Sequence, residues 1–225
     1  MALGIQTESG NGGDFLPIIK YDAKAGRLFV VERTQGAQGW ETQNHDITMS
    51  QPSFMVDFAN IEVGWISFGN GAPSFVMTTV GQPLPARPST DHKQGFRVRC
   101  YATTAWKGTR EFSHTAKSVL GVIDALHTEV MAAPETAQGK LPVVRLTNVK
   151  EVATQTPHGV NRNYAPVLEI VGWADRPADF GQKPAQANGN EQAAAPAPQA
   201  HQPAPPPPMT SPAPATAGNG SAPLF

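Results

Sequence analysis

Between residues 96 and 104 the chain alternates strictly. Phe96, Val98, Cys100 and Ala102 fall on one side, and Arg97, Arg99, Tyr101 and Thr103 on the other. A period of two is that of a β-strand with one buried face, so the first set is expected to face a core. Shorter apolar runs predict further strands at 15–20, 27–33, 54–58, 61–68, 74–80, 143–152 and 166–173. The turn 21–26 makes a hairpin of the first two. Residues 34–51 are polar, contain Trp40 and read as a long loop. Residues 81–94 hold Pro83, Pro85 and Pro88 and read as another, and 154–163 as a third. One segment has a different period. Phe112, Ala116, Val119, Ile123, Leu126 and Val130 recur every three or four residues, the stripe of an amphipathic helix capped at Thr109 or Ser113 and stopped by Pro134.

With 54–58 and 61–68 taken together, the main body is read as three strands, a helix and two strands. That is the element order of an OB-fold, a five-stranded Greek-key barrel with its helix between strands three and four. The first two strands are an N-terminal elaboration. Trp65 and Trp173, within apolar strands, are expected in the core.

Composition sets the boundaries. Beyond Lys183 the last 42 residues include 11 prolines and 12 alanines, with Glu191 their one charged residue. Such a segment buries too little to offset its ordering entropy and is expected to be disordered, with Pro205–Pro208 locally extended. It ends on two large apolar residues, Pro223-Leu224-Phe225. Residues 1–13 are rich in Gly, Ser and Asn and are expected to be loose. The expected organisation is a flexible N-terminus over 1–13, one domain over 14–183 and a tail over 184–225. No signal-peptide pattern or membrane-spanning run is evident, so a cytoplasmic protein without membrane contact is expected. The single Cys100 rules out an internal disulfide framework.

Net charge is −1, which disfavours a general polyanion binder unless the basic residues are gathered on one face. The outward row Arg97, Arg99 and Tyr101 is one such gathering. Cations track phosphates, and a flat ring stacks on a base whatever its identity. Trp106, Lys107 and Arg110 form a second candidate platform in the loop after that strand. Arg162 and Tyr164, with His158 and Asn163, lie in the last loop, which forms a rim of the groove in OB-folds. Lys20, Lys24, Arg27 and Arg33 make a basic set in the first hairpin, interleaved with Asp22 and Glu32. No catalytic constellation is present. The six histidines lack metal-ligand spacing, no phosphate-binding Gly-rich loop occurs, and Cys100 faces inward. The Glu41/His45/Asp46 and Asp91/His92 groupings, without a third ligand positioned by their spacing, are weak metal candidates. No enzyme, metal or cofactor is expected.

Two stretches resemble a known family. Residues 15–27, Phe15-Leu16-Pro17-Ile18-Ile19-Lys20-Tyr21-Asp22-Ala23-Lys24-Ala25-Gly26-Arg27, are similar to the start of a group of bacteriophage single-stranded-DNA-binding proteins. Residues 164–173, Tyr164-Ala165-Pro166-Val167-Leu168-Glu169-Ile170-Val171-Gly172-Trp173, are similar to the end of the same domain. The resemblance spans about residues 15–180. It implies an OB-fold that coats single strands during DNA replication or recombination, in the host cytoplasm, without catalysis. The tail resembles that of bacterial single-stranded-DNA-binding proteins, whose apolar tip recruits replication and recombination enzymes. By that likeness Pro223, Leu224 and Phe225 are partner-binding residues, although Asn219-Gly220-Ser221-Ala222 lacks the family's acidic run. The competing expectation is a phage structural or virion-decoration protein that uses a β-barrel as a packing module. A third is a metal-dependent nuclease accessory to recombination, raised by the small Asp/Glu/His groupings.

Overall fold

The computed structural model describes residues 16–36, 39–69, 72–156 and 159–181. Residues 1–15, including the expected start of the first strand, lie outside this set. So do His158 and the tail with Pro223, Leu224 and Phe225. The chain divides into two units at Ala185, and the described residues all belong to the first.

That unit is mainly β, with one long helix. Its strands are β1 (Ile18–Asp22), β2 (Arg27–Gly36), β3 (Gly39–Asp46), β4 (Ser53–Val56), β5 (Glu62–Ser67) and β6 (Ser74–Thr79). They are followed by β7 (Lys93–Ala102) and β8 (Gly108–His114), helix α1 (Lys117–Ala132), a single turn α2 (Pro134–Ala137), and the long strands β9 (Leu141–Thr156) and β10 (Gly159–Ala174). The strands form one mixed sheet in the order β10-β9-β4-β7-β8-β1-β2-β3, with β5 pairing both β6 and β7. All pairs are antiparallel except β1 with β8.

The core lies where α1 packs against the sheet. Val119, Ile123, Leu126 and Val130 of the helix are buried with Phe96, Val98, Cys100 and Ala102 of β7, as the alternation of β7 requires. Ile19, Tyr21, Leu28, Val30, Phe54, Phe112, Val144 and Leu146 complete the cluster. Each large side chain fully buried here is worth roughly 1.5–3 kcal/mol, so α1 is held by packing. Its N-cap, Ala116, makes no side-chain cap bond. The β1–β2 turn is seated on the far end of the sheet, where the Tyr164 N–H donates to the Ala23 carbonyl at 2.7 Å. Gly26 makes this seat possible. Its φ is +65°, and a Cβ there would stand 2.8 Å from Val149 and 3.0 Å from the Tyr164 ring.

Three elements differ from the sequence-based expectation, all for one reason. Phe112 belongs to β8, not to the helix, and α1 begins five residues later. Its spacing to Ala116 continues the helical stripe by coincidence, while the ladder with β7 from Phe96/His114 to Ala102/Gly108 holds residues 108–114 extended. The polar stretch 34–51 is not a long loop: β2 and β3 pair from Phe29/Asp46 to Gly36/Gly39. Nor is 154–163 a loop, because β9 and β10 pair out to Thr156/Gly159. These hairpin arms expose both faces along much of their length, so no alternation marks them. Cross-strand hydrogen bonds that local patterns do not encode decide their conformation. Trp173 packs partly buried against the core as expected. Trp65 is half-buried instead under the 80–92 loop, its indole N–H donating to the Pro85 carbonyl at 2.8 Å.

Candidate nucleic-acid interface

Strand β7 carries Arg97, Arg99 and Tyr101 on the face opposite its buried residues, and β8 lays Ser113, Glu111 and Thr109 directly beside them. Glu62 of β5 adjoins Arg97 from the other side. The row therefore exists, but its neighbours constrain it unequally.

Arg97 is pinned. Its Nε lies 2.7 Å from Glu62 Oε2 and 3.9 Å from Glu111 Oε2, and its guanidinium sits 5.2 Å from the Phe75 ring centroid. Burial lowers its pKa, but the Glu62 hydrogen bond and the two carboxylate charges outweigh that and leave it raised. Burial likewise pushes the Glu111 carboxyl up, against the pull of Arg97. Arg99 is exposed and, among the described residues, has no carboxylate within ion-pair distance.

Tyr101 is covered. It is 8% exposed because the chain after β10 crosses this face. Its ring lies 5.9 Å from that of Phe180, and its hydroxyl donates to Asp179 Oδ2 at 3.1 Å. Burial first, then this bond and the Asp179 charge, raise the phenol pKa. The covering segment is fastened on both sides. The Gly181 N–H donates to Thr109 Oγ1 at 2.7 Å. Arg176 lies 2.7 Å from the buried Asp57 carboxylate and 4.7 Å from the Phe180 ring centroid.

The second expected platform comes apart. Trp106 is 5% exposed, its ring packed 5.3 Å from Phe54 and its N–H bonded to the Gly108 carbonyl, so it closes the end of the core. Arg110 alternates inward on β8. It is 6% exposed and donates to the Val31 carbonyl at 2.7 Å, with Glu32 3.6 Å away. Burial lowers its pKa despite Glu32. Of the three, only Lys107 is exposed. The Phe54 ring that packs on Trp106 and the Val31 carbonyl that takes Arg110 lie on distant strands, which explains why both read as surface residues in the sequence.

The remaining candidates gather elsewhere, around the β1–β2 turn. Lys24 Nζ donates to Asn161 Oδ1 on the β9–β10 arm, and Arg27 pairs with Asp46. Arg27 also borders an open cavity of about 330 Å³ with Met49, Gln51 and Thr147. Arg162 lies 3.4 Å from Glu151 across the same arm. Tyr164 is half-buried against Gly26, and Lys20 is exposed on β1. Arg162 and Tyr164 are strand residues, not the loop residues expected.

Sequence reasoning missed four residues on the β7 face. Lys93 extends the exposed cations two alternations upstream, a signal present in the strand's own period. Phe75 is on β6 in register with Ile66, opposite Lys93, and Phe68 meets it edge-on at 6.3 Å. Phe180 arrives from beyond the last strand. Among the described residues, no group of three or more His, Cys, Asp or Glu side chains is placed to hold a metal ion. His92 is taken up by Ser89 and Ser74, and Asp46 by Arg27 and Thr48. Burial raises the Cys100 thiol far above its ordinary value. No described helix is long and apolar enough to cross a membrane. No family model matches the chain, and no curated protein or solved structure matches it either.

Proposed function

We propose that this chain binds single-stranded DNA without sequence preference and without catalysis, on the outward face of β7 and its neighbours. The observation that carries this reading is the composition of that face. Phe75 stacked on Arg97 stands at one end, Tyr101 against Phe180 at the other, and the unpaired Arg99 lies between them. Arg97 to Tyr101 spans about 13 Å of strand, room for roughly two stacked bases with phosphates reaching Arg99 and Lys93.

The OB-fold reading belongs to the same proposal. In it, β4, β7 and β8 are the first three barrel strands, α1 the helix before the fourth, and β9 and β10 the last two. The pairings β4–β7, β7–β8, β4–β9 and β9–β10 support it. The β5–β6 hairpin then stands in the first loop and the β9–β10 arm in the last, the two loops that flank an OB groove. The proposal extends to a role in replication or recombination, with the tail tip recruiting partner enzymes.

The rival reading, a structural packing module of a virion, draws support from one observation. Glu62, Glu111 and Asp179 offset much of the positive charge on this face. Fluorescence anisotropy with labelled oligo-dT separates the two. The DNA reading expects binding that weakens as salt rises and prefers single strands to duplex, because neutralised phosphates release counterions and a duplex hides its bases. No binding at low salt, or equal affinity for duplex, refutes it.

A further inference from the structure

Strand β6 ends its branch of the sheet: it pairs with β5 and with no other described strand. Natural edge strands are usually guarded by charge, proline or a bulge. This one, Ser74-Phe75-Val76-Met77-Thr78-Thr79, has none of these and pairs with β5 without a register break. The lack of charge is not local. Residues 63–86 contain no Asp, Glu, Lys, Arg or His. Exposed large apolar side chains gather on the same excursion: Phe68 at 53%, Val80 at 48% and Leu84 at 45%. The excursion thus offers no charge by which a partner of opposite sign could be recognised.

We infer that β6 is a homotypic interface, where two copies of this chain pair antiparallel about a two-fold axis through Met77. An uncharged strand meets its own copy with no like-charge penalty, and a closed two-fold is the commonest arrangement of a self-complementary patch. The register follows from the backbone. The Val76 carbonyl leans onto Gly64, so close that a Cβ there would stand 2.2 Å from it. Val76 therefore spends its hydrogen-bonding groups on β5, and Phe75, Met77 and Thr79 turn theirs to the free edge.

A two-fold perpendicular to the sheet keeps each side chain on its own face, so residues of equal parity must pair. Centred on Met77, the pairs are Phe75 with Thr79, Val76 with Thr78, and Met77 with itself, all inside β6. Centring on Val76 sets Pro73, which lacks an N–H, against Thr79. Centring on Thr78 sets Phe75 against Gly81, which has left the strand at φ +90°. In the Met77 register Val80 of each copy comes opposite Ser74 of the other.

The inference stands apart from DNA binding and is tested without DNA, on the full chain. Sedimentation velocity across a concentration series is expected to show a monomer–dimer equilibrium. Met77→Lys puts two like charges at the axis and is expected to abolish the dimer while leaving the circular dichroism spectrum unchanged. Met77→Leu is expected to retain it. A cross-link gives the second measurement. Cys100 is fully buried, so an introduced thiol is the one available at the surface. Met77→Cys is expected to form a disulfide-linked dimer on mild oxidation, since a hydrogen-bonded antiparallel pair spaces its Cα atoms about 5.5 Å apart, within disulfide range. Met131→Cys, exposed on α1, is expected not to. A wild-type chain that stays monomeric and does not cross-link through position 77 overturns the inference. So does a dimer that survives Met77→Lys.

Discussion

If bases stack on Tyr101, Phe180 must first leave it, and this makes Phe180→Ala an informative substitution. The Tyr101–Phe180 pair, with centroids 5.9 Å apart and planes tilted by 33°, is the kind of aromatic contact worth about 0.5–1.5 kcal/mol. Arg176 over the same ring adds about 0.5–1 kcal/mol, the lower range because its side chain is 40% exposed. Removing the ring therefore loosens the covering segment by about 1–2.5 kcal/mol. The Asp179, Gly181 and Arg176–Asp57 bonds remain to hold it. A site that is covered most of the time binds with its intrinsic affinity reduced by the open fraction. Phe180→Ala is then expected to tighten oligo-dT binding by roughly fivefold to sixtyfold, the upper figure being the ceiling, since about 1.4 kcal/mol is tenfold. The assay is anisotropy at fixed salt, with thermal melting to verify that the core is intact. Unchanged affinity would mean that DNA does not use the Tyr101 ring. Weaker binding would mean that Phe180 is itself the stacking surface, which refutes the covering argument equally.

The other expectations are more direct. Arg99→Ala is expected to reduce the slope of log affinity against log salt by about one, and Arg97→Ala by less, because Glu62 and Glu111 already claim that guanidinium; equal effects in a salt titration would contradict this. Arg110→Ala is expected to cost roughly 2–4 kcal/mol in urea denaturation, since it empties a buried site and strips the Val31 carbonyl of its donor, while the folded fraction binds DNA as before. Asp46 is held at about 2, below its ordinary 3.8, first by the Thr48 side-chain bond and then by Arg27 and the Thr48 backbone. Because the folded pKa is the depressed one, the contribution is complete above pH 4 and lost as pH falls toward 2. Asp46→Asn is expected to flatten the urea midpoint across that window.

How far the sequence discloses this molecule depends on where each side chain finds its partners. The alternation of β7 is legible because burying Phe96, Val98, Cys100 and Ala102 forces it, and the α1 stripe from Val119 to Val130 is legible for the same reason. The β2–β3 and β9–β10 arms are not, because strands exposed on both faces need no hydrophobic period. The candidate site was legible only as a set of outward residues. What each is free to do is fixed by Glu62, 35 residues from Arg97, and by Asp179, 78 residues from Tyr101. Nothing in the local pattern distinguishes Arg99, which is left unpaired, from Arg110, which alternates to the other side of the next strand and serves the Val31 carbonyl. The same reasoning bears on the near-zero net charge. A polyanion responds to the cations left unpaired on the face it meets, and on β7 those are Lys93 and Arg99, with Arg97 available only as Glu62 yields it. On the proposed reading, a face so sparsely charged is expected to hold DNA through its rings more than its cations. The salt dependence of binding is therefore expected to be shallow, and the loss on replacing Phe75 or Tyr101 larger than the loss on replacing any one arginine.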